Sequence, residues 1–184
     1  MLKTSILTVL FSLMLIFQAC SNDKAKEKND QTQANKYILT SLKNKHLSVT
    51  KEKDGFKLEG ANGKVVIFDI FATWCPPCRK AAAHLSSLQK KYKDDLIVIG
   101  ITIEDNIDNA KLEEFRKVYN ANYTLVNSDK NRLLADKIVD SLKLGDRYPI
   151  PVMALYKDGK YITHYIGSIE EEFIESDIKR ALKK

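Results

Sequence analysis

Two cysteines three positions apart, Cys75 and Cys78, are the residues of this sequence best suited to do chemistry. They follow an apolar run that ends at Phe71, and from Pro76 onward the apolar residues recur at helical spacing. Cysteines at this separation can close a disulfide across one helical turn. A thiol at a helix N-terminus lies at the positive end of the helix dipole, which stabilises the thiolate. The pattern predicts a redox dithiol in which Cys75 attacks a partner and Cys78 resolves the mixed disulfide.

A zinc site and a structural disulfide are the alternatives for this cysteine pair. A structural zinc ion needs four ligands, and the three histidines, His46, His84 and His164, lie in separate predicted elements. A structural disulfide across so short a loop adds little stability, because the stabilisation grows with loop length. Redox exchange is therefore the favoured interpretation, and we expect neither a metal nor another cofactor.

The third cysteine, Cys20, follows a short apolar segment at the N-terminus. The apolar run at 6–17 is about twelve residues long, whereas a membrane-spanning helix needs roughly 20. The prediction is an export signal at 1–19. The segment resembles a bacterial lipoprotein signal, in which cleavage before Cys20 accompanies lipid attachment to its sulfur, although Phe17 and Gln18 depart from that pattern. Ordinary secretion, an uncleaved anchor and a cytosolic chain are the alternatives.

The stretch at 21–36 contains no apolar residue larger than Ala, so it cannot bury enough surface to fold. We interpret 20–36 as a flexible tether between a lipid anchor and a folded domain at 37–184, with a disordered tail as the alternative. The chain carries 30 Lys and Arg against 24 Asp and Glu, a net charge of +6 with the signs interleaved. This indicates a solvated surface rather than a nucleic-acid interface, and we expect a monomer.

Strand and helix patterns alternate along the folded part. A hairpin is predicted at 46–50 and 56–58 around Asp54-Gly55, and further strands at 65–71, 96–103, 123–126, 152–156 and 161–166. Helices are predicted at 76–92, 108–119, 130–142 and from 169 to the end. Such alternation, ending in an antiparallel hairpin, implies an α/β domain with a mixed sheet and helices on both faces.

The segment VVIFDIFATWCPPCRK, at 65–80, resembles the active-site block of the thioredoxin superfamily, in particular its membrane-tethered periplasmic TlpA- and ResA-like thiol-disulfide oxidoreductases. The likeness continues through LIVIGITI, YPIPVMALYKDGKYITHYIG and the C-terminal helix. It implies a thioredoxin-like fold, with a central mixed β-sheet flanked by helices and an N-terminal β-hairpin extension. It also implies a periplasmic location.

The resemblance assigns roles to residues around the cysteines. Pro151 takes the place of the family's cis-proline, where the backbone of Ile150 would pair with an extended substrate; a trans proline is the alternative. Asp69 falls where thioredoxin has a buried aspartate, and burial would raise its pKa and suit it to proton transfer with Cys78. An aspartate capped by local hydrogen bonds is the alternative for Asp69. Trp74 would belong either to the docking surface beside the disulfide or to the core.

The two prolines between the cysteines, Pro76 and Pro77, complete the expected substrate-binding set. Because prolines lack N–H groups, they remove two donors that could stabilise a Cys75 thiolate. A less stabilised thiolate makes the dithiol a better reductant. We therefore expect a potential nearer about −270 mV than about −120 mV.

Two positions after the second cysteine depart from the ResA-like pattern. Ala81 and Ala83 stand where relatives usually carry Glu and Pro, and the missing Glu shifts the acid role to Asp69. His84, on the same helix, is interpreted as a satisfied surface or core histidine. A catalytic or copper-binding His84 is the alternative.

Reduction of disulfides in exported proteins is the function that the resemblance implies. The substrates would be proteins with cysteine pairs, including the CxxCH segment of apocytochrome c before haem attachment. A DsbD- or CcdA-like partner would supply electrons across the inner membrane. A disulfide-forming oxidase is the enzymatic alternative, and a thioredoxin-fold copper or haem chaperone is the alternative among binding proteins. Sco-type copper chaperones, however, place three residues between their cysteines and add a distant His, which this sequence does not match.

Overall fold

The first three strands form a small antiparallel sheet in the computed structural model, which describes residues 35–183. β1 (Lys36–Thr40) pairs with β2 (His46–Glu52), and β2 pairs with β3 (Gly55–Leu58). The predicted N-terminal hairpin around Asp54-Gly55 is therefore confirmed. The predicted export signal, Cys20 and residues 21–34 of the predicted tether lie outside the described residues.

Strand β1 was not predicted, and its first residue, Lys36, is the last residue of the predicted tether. Buried Tyr37 and Leu39 alternate with exposed Lys36 and Ile38, so one face of β1 packs on the core. Two buried side chains in a five-residue strand form too short a pattern to distinguish the strand from the polar segment that precedes it in the sequence.

The main sheet has five strands in the order β6-β5-β4-β7-β8. Its central strand, β4 (Val65–Phe71), is buried along its whole length, as its β-branched and aromatic residues favour. Next to it, β5 (Leu96–Thr102) runs parallel and β7 (Val152–Lys157) antiparallel. The outer strands are β6 (Thr124–Val126) and β8 (Lys160–Ile166). The predicted mixed sheet is confirmed.

Four helices follow within residues 35–183, at α1 (Pro76–Lys91), α2 (Asn109–Val118), α3 (Asn131–Ser141) and α4 (Glu171–Leu182). Each begins and ends within about two residues of its predicted bounds, and Asp108 caps α2 by accepting a hydrogen bond from the Ala110 N–H at 3.0 Å. None of these four helices combines the length and the apolar composition that crossing a bilayer requires.

The two faces of β4 pack against different partners. On one face, Val65, Ile67 and Phe71 share a core cluster with buried residues of α1, α2 and α4. On the other face, Val66, Phe68 and Ile70 pack with α3 and with the small N-terminal sheet. Since side chains alternate along a strand, Asp69 belongs to the face that α1 covers.

Candidate active site

The disulfide lies at the N-terminus of α1. Cys75 is the N-cap residue, and its sulfur is bonded to that of Cys78, with 5.3 Å between the two Cα atoms. Pro76 and Pro77 occupy the first helical positions, where the absent N–H groups cost the helix nothing. The Cys78 N–H points back at the Cys75 sulfur, at 3.2 Å. The prolines therefore remove two donors, as expected, but the Cys75 sulfur keeps one backbone donor.

Trp74 is exposed, whereas the two cysteines beside it are buried. The Trp74 side chain is 60% exposed, and Cys75 and Cys78 are each 2% exposed. Trp74 is therefore not a core residue, which leaves the docking surface as its interpretation. Sulfur atoms this well covered react only with a partner that fits closely against the surrounding surface.

The Ile150–Pro151 segment approaches the disulfide from the start of β7. The Ile150–Pro151 peptide bond is cis, as the resemblance implied, and the Ile150 carbonyl oxygen lies 3.6 Å from the Cys75 sulfur. The Pro151 carbonyl accepts a hydrogen bond from the Gly167 N–H at 2.8 Å, which ties the segment to the end of β8. This places the expected substrate-pairing backbone directly beside the expected nucleophile.

Thr73, two residues before the nucleophile, is held through both of its backbone polar groups. Its N–H and hydroxyl donate to the Glu104 carboxylate, at 2.5 and 3.0 Å, and its carbonyl accepts from Arg79 Nε at 3.0 Å. Arg79 also lies over the Tyr119 ring, 5.0 Å from its centroid, and Lys111 lies 3.7 Å from Glu104. The contact with Glu104 has no local sequence signal, because it joins Thr73 to a residue 31 positions away.

Asp69 is buried beneath the active-site helix. It is 1% exposed, and burial raises its pKa from 3.8 to about 7, although a hydrogen bond from the Tyr123 hydroxyl acts in the opposite direction. Tyr123 Oη donates to Oδ2 of Asp69 at 2.8 Å, while Oδ1 is buried and has no hydrogen-bond partner among residues 35–183. The predicted rise in pKa is confirmed. The hydrogen-bond donor is not local, since Tyr123 is 54 positions away, and sequence reasoning did not find it.

The three histidines contact residues in different parts of the described chain. His84 Nδ1 lies 2.9 Å from the Ile169 carbonyl oxygen, His46 Nδ1 lies 3.3 Å from the Thr40 hydroxyl, and His164 Nδ1 lies 2.7 Å from the Tyr161 hydroxyl. Across residues 35–183, no three His, Cys, Asp or Glu side chains gather closely enough to hold a metal ion. His84 is thus a half-buried residue with a backbone partner, consistent with its interpretation as a satisfied histidine.

The fold and the site together define a thioredoxin-like protein with a redox-active cysteine pair at a helix N-terminus. A family model matches residues 24–151, and the chain belongs to the AhpC/TSA family. Over 166 residues it is 28% identical to the thiol-disulfide oxidoreductase ResA of Bacillus thuringiensis strain Al Hakam, a match that covers 90% of this chain and 85% of the relative. The predicted resemblance to ResA-like thiol-disulfide oxidoreductases is confirmed.

Solved structures show the same fold. One is a thioredoxin-family thiol:disulfide interchange protein from Chlorobium tepidum, with a TM-score of 0.63, 18% identity, and coverage of 80% of this chain and 94% of that one. Another is StoA from Bacillus subtilis, with a TM-score of 0.56, 17% identity, and coverage of 77% and 95%. At these identities the structural likeness supports the fold alone.

Proposed function

We propose that this protein reduces disulfides in exported proteins by dithiol exchange through Cys75 and Cys78. The observation that carries the proposal is the Cys75–Cys78 disulfide at the N-terminus of α1, with the Ile150 carbonyl beside it and the Asp69 carboxyl beneath the same helix. A helix N-terminus lowers the pKa of a cysteine thiol, and the thiolate is the nucleophile in exchange.

The catalytic cycle uses the two sulfurs in turn. In the reduced protein, the Cys75 thiolate attacks a substrate disulfide, forms a mixed disulfide and releases the first substrate thiolate, which takes a proton from solvent. The Cys78 thiol then passes its proton to the Asp69 carboxylate, and its sulfur attacks Cys75. The Cys75–Cys78 disulfide forms, the second substrate sulfur leaves as a thiolate that takes a proton from solvent, and Asp69 releases its proton to solvent. The substrate disulfide gains two electrons and two protons, and the protein dithiol loses them.

The surface around the disulfide supplies the substrate site. The exposed Trp74 ring and the Ile150–Pro151 backbone flank the cysteines, and Pro76 and Pro77 form the intervening loop. We propose that an extended segment of the substrate lies along Ile150, which would bring a substrate sulfur to Cys75. Backbone pairing of this kind accepts many sequences, which suits an enzyme that acts on several cysteine-containing proteins.

The direction of electron flow follows from the donors at Cys75. One N–H, that of Cys78, reaches the Cys75 sulfur, while Pro76 and Pro77 supply none. A thiolate with so few donors is less stabilised than one at a helix N-terminus without prolines, where more backbone N–H groups can donate. We therefore propose a reduction potential nearer about −270 mV than about −120 mV. Equilibration of the purified protein with glutathione measures this potential, and a value above about −170 mV would contradict a reducing role.

The proposed cellular setting is the periplasm, with the domain tethered to a membrane by lipid on Cys20. This rests on the apolar segment before Cys20 and on the polar stretch after it. As the resemblance to ResA-like oxidoreductases implies, we propose apocytochrome c as one substrate and a DsbD- or CcdA-like protein as electron donor. Metabolic labelling with radioactive palmitate tests the anchor: the wild-type chain should be labelled, and Cys20→Ala should not.

Two cysteine variants test the activity and find the substrate. The wild-type protein should reduce insulin, and Cys75→Ser should not, whereas a copper or haem chaperone would show negligible turnover in both. In cells, Cys78→Ser should accumulate mixed disulfides through Cys75, since the resolving sulfur is gone. A trapped apocytochrome c would support the proposed substrate. A Cys78→Ser variant that traps no protein would contradict the proposed function.

A further inference from the structure

The buried Asp69 carboxyl has two oxygens in different environments. Oδ2 accepts the hydrogen bond from Tyr123 Oη, at 2.8 Å, and Oδ1 is buried without a hydrogen-bond partner in the described part of the chain. A buried polar atom without a partner is costly, so such atoms are rare outside sites where they serve a function. Asp69 therefore has one oxygen held in place and one oxygen free to accept a proton.

The Asp69 side chain lies on the cysteine side of the sheet. Asp69 stands between Ile67 and Phe71 on β4, and both of these neighbours share a core cluster with Cys75 and Cys78. Because side chains at alternate positions point to the same face, the Asp69 carboxyl belongs to the layer between β4 and α1. Tyr123 belongs to the same cluster, so its ring approaches Asp69 within this layer.

Tyr123 reaches Asp69 by crossing β5 at a glycine. It directly precedes β6, the outer neighbour of β5, while Asp69 lies on β4, the inner neighbour. The β5 residue between them is Gly100, which is the register partner of Asp69. A Cβ atom at Gly100 would lie 3.0 Å from the Tyr123 ring and 2.7 Å from Leu125. Any larger residue at position 100 would therefore compete with the Tyr123 ring for space.

We propose that Tyr123 is a positioning residue for the resolving step: it crosses β5 over Gly100, holds Oδ2 of Asp69, and leaves Oδ1 to take the proton from Cys78. This deepens the proposed function and rests on it, because it specifies how the proton acceptor of the proposed cycle is held. The Tyr123 hydroxyl donates to Asp69, so Tyr123 acts on the cysteines through that carboxyl.

Among the groups around Asp69, the Tyr123 hydroxyl is the polar group that affects the pKa of the carboxyl. Its hydrogen bond stabilises the carboxylate and lowers the Asp69 pKa, against the larger effect of burial. On the same face, Cys75 and Cys78 at the start of α1 are joined in the disulfide and carry no charge, and Met153 of β7 is apolar. Other ionisable groups on the adjoining segments have partners of their own: Glu104 with Thr73 and Lys111, Arg116 with Glu113, His84 with Ile169, Glu175 with Tyr92, Lys91 and Lys179, and Asp177 with Tyr165 and Arg180.

The first test measures the Asp69 carboxyl directly, by titrating its ¹³C NMR signal in the oxidised protein. Tyr123→Phe removes only the hydroxyl, so the pKa of Asp69 should rise by about one to two pH units, the effect of one hydrogen bond to a charged group. Tyr92→Phe is the matched control, because it removes a hydroxyl that donates to a different carboxylate, that of Glu175. An Asp69 pKa that is the same in wild type, Tyr123→Phe and Tyr92→Phe would overturn the proposal.

The second test follows the resolving step with Ellman's reagent. The reduced protein should release one thionitrobenzoate as Cys75 attacks and a second as Cys78 displaces the mixed disulfide, so the slower phase reports on Cys78. Asp69→Asn should slow that phase by about 100-fold at pH 7. Tyr123→Phe should shift its pH profile upward by about one to two units, and Tyr92→Phe should leave the profile unchanged.

The variants separate failure of this proposal from failure of the proposed function. If the wild-type protein releases no second thionitrobenzoate, or if Asp69→Asn behaves as wild type, the proposed cycle fails. If Asp69→Asn is slow but Tyr123→Phe keeps the wild-type pH profile, only the role of Tyr123 fails. Gly100→Ala gives an independent check: it should displace the Tyr123 ring and shift the slow phase in the same direction as Tyr123→Phe.

Discussion

Two of the tyrosine–carboxylate pairs on the α1 side of the main sheet differ in what surrounds the carboxylate. Tyr123 donates to Asp69 at 2.8 Å, and Tyr92 donates to Glu175 at 2.6 Å. The pKa of Asp69 is raised to about 7, whereas that of Glu175 is lowered to about 2. Both carboxylates therefore accept a hydrogen bond from a tyrosine hydroxyl, yet the pKa of one is raised and that of the other is lowered.

Nearby cations account for the difference. Glu175, on α4, accepts from Lys179 and Tyr92 and also from Lys91, the last residue of α1, and these hydrogen bonds lower its pKa. Asp69 is buried and, within residues 35–183, accepts a hydrogen bond from the Tyr123 hydroxyl alone, so burial dominates and raises its pKa. One carboxylate ties two helices together, and the other can change its protonation state near neutral pH.

Asp69→Asn should have the largest effect on stability, and the effect should depend on pH. The folded protein holds a proton on Asp69 up to about pH 7, whereas the unfolded chain releases it near pH 3.8. The stability associated with this proton is therefore complete below about pH 4 and is lost as the pH rises through 7. Asp69→Asn avoids that loss and should be more stable than wild type by about 4 kcal/mol at pH 8.

Urea unfolding at pH 4 and at pH 8 measures this difference. The two proteins should have similar free energies of unfolding at pH 4 and should diverge as the pH rises. An Asp69→Asn variant whose stability falls with pH as steeply as that of wild type would show that Asp69 is not the group responsible.

Glu175→Gln should act in the opposite direction. Because the folded-state pKa of Glu175 is lowered, its contribution to stability is present above the unfolded value of 4.5 and is lost as the pH falls towards 2. Glu175→Gln should therefore lower the melting temperature by several degrees at pH 7, and the difference should shrink as the pH falls towards 2. Insulin reduction at pH 7 should be unchanged, since Glu175 lies on α4, away from the cysteines.

Glu104 tests a third arrangement, in which a carboxylate holds the active-site backbone. Replacing it with Gln weakens the charge-assisted hydrogen bonds to the Thr73 N–H and hydroxyl. We expect kcat/KM for insulin reduction to fall about fivefold, or about 1 kcal/mol, because the segment before Cys75 is held less firmly. Glu113→Gln is the control, as Glu113 pairs with Arg116 on α2. Equal activity of the two variants would show that the contact with Thr73 has no part in catalysis.

The sequence predicted the elements that carry the disulfide almost to the residue. β4 matched its predicted bounds because its run of large apolar residues is uninterrupted except by Asp69. The start of α1 was equally clear, since Pro76 and Pro77 suit the first helical positions and apolar residues recur behind them. Local patterns of this kind depend on neighbours in sequence, so they can be read without the fold.

The contacts that tune the site could not be predicted in the same way. Tyr123 meets Asp69 only because β5 separates β6 from β4 and places Gly100 between them. Glu104 meets Thr73 because the ends of β4 and β5 lie side by side. Neither contact has a local sequence signal, since each depends on strand order and register. Gly100, a glycine inside an otherwise apolar strand, was the one available sign that another group approaches closely there.

The exposed ion pair between Lys80 and Glu170 should have the smallest effect. Their charged atoms are 2.9 Å apart, but the side chains are 56% and 61% exposed. The pKa of Glu170 is lowered by the Lys80 hydrogen bond and charge, yet water and salt screen a pair this open. Lys80→Ala should therefore change the melting temperature by no more than about 2 °C and should alter the pH dependence of stability only slightly. A larger change would mean that the packing of α1 against the segment before α4 depends on this pair. It would also mean that solvent exposure does not decide how much a carboxylate of this protein contributes to stability.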